Sequence, residues 1–135
     1  MKFAILLFSI LMGFNAQASL ESLENPIYPL KTSVVRGQVV LTALGGLSVY
    51  VFDPDMVAGP SCNDRCAEVW PPILVGDDEL SRIQSPLGIA ERKTGLKQLT
   101  YNGRPLYTYF RDRREGDGFG DGLGGVWHLV PLMGR

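Results

Sequence analysis

Tyr50-Val-Phe52-Asp-Pro-Asp55 returns 57 residues later as Tyr107-Thr-Tyr109-Phe-Arg-Asp112. At the same spacing Gly46 returns as Gly103 and Trp70 as Trp127. Both copies therefore read Tyr-x-aromatic-x-x-Asp, with a tryptophan fifteen residues beyond the Asp. A repeat of this length is one supersecondary unit that cannot bury its apolar face alone, so two copies are expected to share one core. This predicts two pseudo-symmetric halves, about residues 39–76 and 96–131, within a single β domain spanning 32–135.

The first eighteen residues have the make-up of a signal peptide. Lys2 supplies the positive start, Phe3 to Phe14 are apolar apart from Ser9 and Gly13, and Ala16-Gln17-Ala18 is a small-x-small cleavage site. The apolar run is too short for a membrane span. Cleavage is expected after Ala18, leaving Ser19 first in an exported, soluble chain with no transmembrane anchor, either periplasmic or secreted. No cysteine lies near that site to take a lipid.

Without Lys2, 12 Lys and Arg face 14 Asp and Glu. That balance, and the absence of a basic run with interleaved aromatics, argues against nucleic acid. The one cationic cluster, Arg111, Arg113 and Arg114, sits among Asp112 and Glu115 and reads as a solvated loop.

Residues 19–31 are polar, hold Pro26 and Pro29, and read as an extended or partly disordered lead-in. Residues 33–42 are rich in β-branched types, with Gly37 as a turn or bulge. Gly45-Gly46 then turns into a strand over Leu47 to Phe52. In the second half Leu96 to Tyr101 is one strand, Asn102-Gly103 the strongest hairpin signal, and Pro105 to Phe110 the return. Trp127 to Val130 reads as a last strand, and Asp78 to Ser85 as a short helix after the solvated turn Asp77-Asp78-Glu79. The fold class predicted is mainly β: a small antiparallel sandwich or barrel of six to eight strands, with one short helix or helical turn at the cysteine loop.

Gly46-Leu-Ser-Val-Tyr50-Val-Phe52-Asp-Pro-Asp55, followed by Cys62-x-x-x-Cys66-Ala-x-x-Trp70-Pro-Pro72, resembles a bacterial family. So does Tyr101-Asn-Gly-Arg-Pro-Leu-Tyr107-Thr-Tyr109 followed by Gly116-Asp117 and Gly125-Val-Trp127. The family is the predicted lipoproteins with a Tyr-x-(Phe/Trp/Tyr)-x-x-Asp motif, also called the secreted repeat of unknown function. The resemblance spans about residues 40–131. It implies an exported β-repeat protein with a paired cysteine loop and no established catalytic activity. Many members carry a lipid-accepting cysteine after the signal, which this chain lacks.

Cys62 and Cys66 are the two cysteines of the chain, and in an oxidising compartment such a pair is most simply a disulfide. On a regular helix residues four apart hold their Cβ atoms about 5–6 Å apart, against roughly 3.8 Å for a bridge. A disulfide therefore requires a turn or a distorted helical turn between them. The alternative is copper: two thiolates, with His128 and Met56 or Met133 completing a soft site, in a copper-handling or electron-transfer accessory. Thiol cycling lacks the Cys-x-x-Cys spacing, and covalent haem lacks Cys-x-x-Cys-His.

Tyr50 and Phe52, like Tyr107 and Tyr109, lie two apart on a strand and face one side. With Trp70 and Trp127 they are expected to fill the core, while Asp55 and Asp112 close turns by accepting backbone amides. The functional alternative is an aromatic cleft for a flat ligand. In Gly116–Gly125 the glycines permit positive φ in a long connection, and calcium on Asp112, Glu115, Asp117 and Asp121 is the sharper alternative, although their spacing fits no EF-hand. With one histidine and no Ser/His/Asp ordering, hydrolysis lacks a base, so no enzyme is expected. The composite expectation is an exported, non-enzymatic β-repeat module. It would bind an envelope protein or a small ligand and hold no cofactor.

Overall fold

β-branched residues favour a pleated, half-buried backbone, and the structure, a computed structural model that describes residues 27–132, is mainly antiparallel β. Its strands are β1 (Lys31–Val35), β2 (Gln38–Thr42), β3 (Tyr50–Phe52), β4 (Leu87–Glu91), β5 (Lys97–Tyr101), β6 (Arg104–Pro105) and β7 (Trp127–Leu129). Among the described residues, helical backbone is confined to α1 (Asp55–Ala58), α2 (Arg65–Val69) and single 3-10 turns at Leu80–Arg82 and Leu123–Gly125. The signal segment 1–18, the lead-in up to residue 26, and Met133 lie outside the described residues.

Each half opens with a hairpin. β1 pairs with β2 from Lys31↔Thr42 to Val35↔Gln38, and β4 with β5 from Leu87↔Tyr101 to Glu91↔Lys97. Arg36 and Gly37 close the first with φ of 50° and 78°, the pair of positive values a type I′ turn requires. Asn102-Gly103 does the same between β5 and β6. The equivalence of the halves reaches further upstream than the motifs. Leu30 N–H donates to the Ile27 carbonyl at 2.7 Å, and 57 residues later Leu87 N–H donates to Gln84 at 2.8 Å. An ordered turn thus begins within the lead-in, and Leu30 is buried.

The halves then exchange their ends. Residues 130–132, from the second repeat, line the first hairpin: Leu41 N–H donates to the Val130 carbonyl at 2.9 Å and Leu132 N–H to Val39 at 3.0 Å. Residues 73–75, from the first repeat, line the second: Leu99 N–H donates to Ile73 at 2.8 Å and Val75 N–H to Lys97 at 2.9 Å. Between them Tyr50 and Tyr107 exchange both backbone hydrogen bonds, at 2.8 and 2.9 Å. One residue of the motif thus meets its own equivalent, which places a pseudo-two-fold axis between them. Leu129 flanks Tyr50 and Pro72 flanks Tyr107 in the same symmetric sense.

Two clusters make the core. Leu30, Leu41, Val49, Leu87, Leu99 and Leu106 belong to an aliphatic one, and the motif aromatics with Cys62 belong to the other. The described strands form separate sheets of two or three strands each and do not close into a barrel. The sandwich-like arrangement is therefore the one adopted.

Several elements differ from expectation for identifiable reasons. The strand expected over Leu47 to Phe52 is confined to Tyr50–Phe52, because Ser48 folds back to pair with Thr42. The return strand expected over Pro105 to Phe110 ends as a regular strand at Pro105, because the segment leaves β5 after Leu106 and Tyr107 pairs instead with Tyr50 and Pro72. The helix expected over Asp78 to Ser85 is a single 3-10 turn, since Ser85 precedes Pro86 and is steered away from helical backbone. β4 was not anticipated: Gly88 and Ala90 are poor strand formers, and β5 supplies the pairing that holds them.

Candidate functional site

The repeated motif converges on the pseudo-two-fold axis. Tyr50 and Tyr107 are fully buried. Each hydroxyl reaches the carboxylate of the other repeat: Tyr50 donates to Asp112 Oδ2, and Tyr107 donates to Asp55 Oδ2 at 2.7 Å. The second carboxylate oxygen holds a loop of its own repeat. Asp112 Oδ1 accepts Phe119 N–H at 3.0 Å, and Asp55 Oδ1 accepts the N–H and hydroxyl of Ser61 at 2.8 and 2.6 Å. Gly120 N–H also donates to the Tyr50 hydroxyl oxygen at 3.2 Å. Burial, followed by the bond to the facing carboxylate, raises the pKa of both phenols well above the usual tyrosine range. Burial also raises the Asp112 carboxyl, against the opposing effect of the Tyr50 and Phe119 bonds.

The remaining aromatics form a column of four rings. Phe52 stacks on Trp127 at 4.1 Å, Trp127 on Trp70 at 3.8 Å, and Trp70 leans on Tyr109 at 4.4 Å. Tyr50 meets Trp70 edge-on at 5.3 Å, and Tyr107 meets Trp127 likewise at 5.2 Å. The indoles thus stack on each other at the axis, and each receives the second motif aromatic of the opposite repeat. Gly120 makes room for this: a Cβ there would lie 2.7 Å from Trp70 Cη2.

Cys62 and Cys66 are joined as a disulfide with Cα atoms 5.2 Å apart. Cys62 lies ahead of α2 and Cys66 within its first turn, so the pair escapes regular helical spacing. Arg92, from the opposite hairpin, is buried against this loop. Its guanidinium donates to the Cys62 carbonyl at 2.7 Å, to Asn63 Oδ1 at 3.1 Å and to Gln98 Oε1 at 2.8 Å. Gln98 in turn donates to the Leu106 carbonyl at 2.7 Å. Arg92 and Gln98 were missed in the sequence, where buried polar groups of one repeat gripping the other leave no local pattern. The Pro-Leu pairs Pro29-Leu30 and Pro86-Leu87, 57 residues apart, were the unused signal for the full length of the repeat.

The other residues considered as ligands are placed apart from the disulfide's contacts. His128 Nε2 pairs with Asp53 Oδ2 at 3.0 Å, and Arg104 approaches the other Asp53 oxygen at 3.5 Å. Met56 is exposed. The acidic residues of the glycine-rich loop serve separate bonds. Asp117 Oδ2 accepts Arg113 and Arg114 N–H, Asp121 Oδ1 accepts Leu129 N–H, and Glu115 accepts the Ser33 hydroxyl. Among the described residues no group of three or more His, Cys, Asp or Glu could hold a metal ion. His128, Arg104, Tyr101, Asn102 and Gln38 border an open groove of ≈ 540 Å³ whose lining, among the described residues, includes no Ser, Thr or Cys.

No helix among the described residues is long and apolar enough to cross a membrane. No curated protein and no solved structure matches the chain. Residues 88–131, which carry the second Tyr-x-aromatic-x-x-Asp motif and the strands that interlock with the first repeat, match the model of the family described as a secreted repeat of unknown function, the same family that the motifs resemble.

Proposed function

We propose that this chain is an exported, soluble, non-enzymatic β-repeat module of the cell envelope that binds a partner or a small ligand. The observation that carries this reading is the use of the repeated motif inside the fold. Tyr50 and Tyr107 are bonded to Asp112 and Asp55 and buried with them. These carboxylates and phenols therefore hold the halves together rather than meeting a substrate. The leader-like N-terminus and the family's description as secreted support export. The groove beside His128 and Arg104 offers donors and acceptors to a small polar ligand.

Intact mass spectrometry of the protein taken from the periplasm without reductant or chelator tests this. The reading predicts Ser19–Arg135 lowered by two hydrogens for the Cys62–Cys66 bridge and carrying no adduct. Two free thiols with a copper-sized adduct would replace it with copper handling or electron transfer through Cys62 and Cys66.

A further inference from the structure

The loop between Asp112 and Trp127 is fastened to the core through its backbone. Phe119 N–H is held by Asp112 and Gly120 N–H by Tyr50, while the Asp121 side chain accepts Leu129 N–H from β7. Its inward positions are glycine: a Cβ on Gly118 would lie 2.7 Å from Val35 Cγ1, and one on Gly120 would meet Trp70. A loop seated this way has a fixed outer side. That side presents Phe119, 58% exposed, next to Phe110 at 51% and Leu123 at 39%. The three border a shallow concavity of ≈ 630 Å³ together with Tyr109, Arg111 and Arg113.

Large apolar side chains grouped on a rigid surface mark a site that another phase or molecule covers. The charge around them selects its sign. The Arg111 guanidinium lies 5.4 Å from the Phe110 ring centroid, and Arg113 and Arg114 follow. Among the described residues none of these three arginines forms a salt bridge. The nearby carboxylates keep their charge but face elsewhere: Asp117 accepts the Arg113 and Arg114 amides, Glu115 turns to Ser33, Asp112 is buried, and none of the three borders the concavity. Apart from the buried Tyr109, the concavity offers aromatic faces, one leucine and guanidinium donors. Among the described residues it has no amide or carboxylate side chain with which to read a peptide. Exposed aromatic rings level with arginines suit the boundary between acyl chains and phosphate headgroups.

We propose that Phe110, Phe119 and Leu123, flanked by Arg111 and Arg113, dock the protein on an anionic lipid bilayer, the rings entering the interface and the arginines binding headgroup phosphates. The proposal rests on the reading of the chain as an exported binding module, and purified protein keeps its test separate from any failure of export. Co-sedimentation with phosphatidylglycerol/phosphatidylcholine vesicles is expected to show binding that weakens with salt, and none to pure phosphatidylcholine. Arg111→Gln with Arg113→Gln lowers partitioning about 30-fold. Phe119→Ser lowers it about tenfold or more, with unchanged circular dichroism for both variants. Absence of binding to the anionic vesicles at low salt overturns the proposal, as does binding that either variant leaves intact. Retention on soluble dextran sulfate that needs the arginines but not Phe119 also overturns it, and assigns the face to an acidic polymer.

Discussion

A phenol buried against a carboxylate keeps its proton to higher pH than one in water, because the phenolate would lose solvation and face a negative charge. Tyr50 and Tyr107 are in that position. Their folded pKa values are raised above the unfolded value near 10.0. The stability they contribute is therefore fully present below that pH and is lost as pH climbs through the raised values. Of the five tyrosines, these two are expected to ionise only as the fold is lost, which an absorbance titration at alkaline pH reads directly. Five phenols titrating near pH 10 with the fold intact would contradict the account. Asp112 has the same sign on the acid side. Its raised carboxyl stabilises the fold most below the unfolded value of 3.8 and loses that contribution as pH rises, the reverse of a salt-bridged carboxylate.

Among the elements, the cysteine loop is small and doubly held. The disulfide closes five residues, which limits its entropic effect to about 2 kcal/mol, and Arg92 pins the Cys62 carbonyl independently. Cys62→Ser with Cys66→Ser is expected to fold and to lose about 2 kcal/mol in urea unfolding. Complete unfolding of that variant would show that the loop depends on the bridge alone. The hairpin at Asn102-Gly103 was legible in the sequence because that dipeptide favours the positive φ values it adopts. Cys62-x-x-x-Cys66 likewise read as a turn because its spacing rules out a bridge within a regular helix. β4 was not legible, since its pairing with β5 overrides weak local propensity. The Asp55 and Asp112 bonds to loop amides follow from the turn chemistry of Asp. Their bonds to tyrosines do not, because sequence separation alone leaves open which Tyr each Asp meets.

At the scale of the molecule, the spacing of 57 residues announced two halves and a shared core, but not that each half finishes the other. A repeat paired within itself and one paired with its neighbour carry the same residues at the same spacing. Strand ends 73–75 and 130–132, the Tyr–Asp bonds and the aromatic column all cross between repeats. Neither repeat alone retains its third strand, its carboxylate partner or its stacked indole, so the two are expected to fold as one cooperative unit. A double-mutant cycle tests this exchange most directly. Tyr50→Phe combined with Asp112→Asn, and Tyr107→Phe with Asp55→Asn, are expected to show coupling of about 1–3 kcal/mol in chemical denaturation. The within-repeat pairs, Tyr50→Phe with Asp55→Asn and Tyr107→Phe with Asp112→Asn, are expected to be additive within about 0.5 kcal/mol. Coupling within the repeats and additivity between them would contradict the exchanged fold.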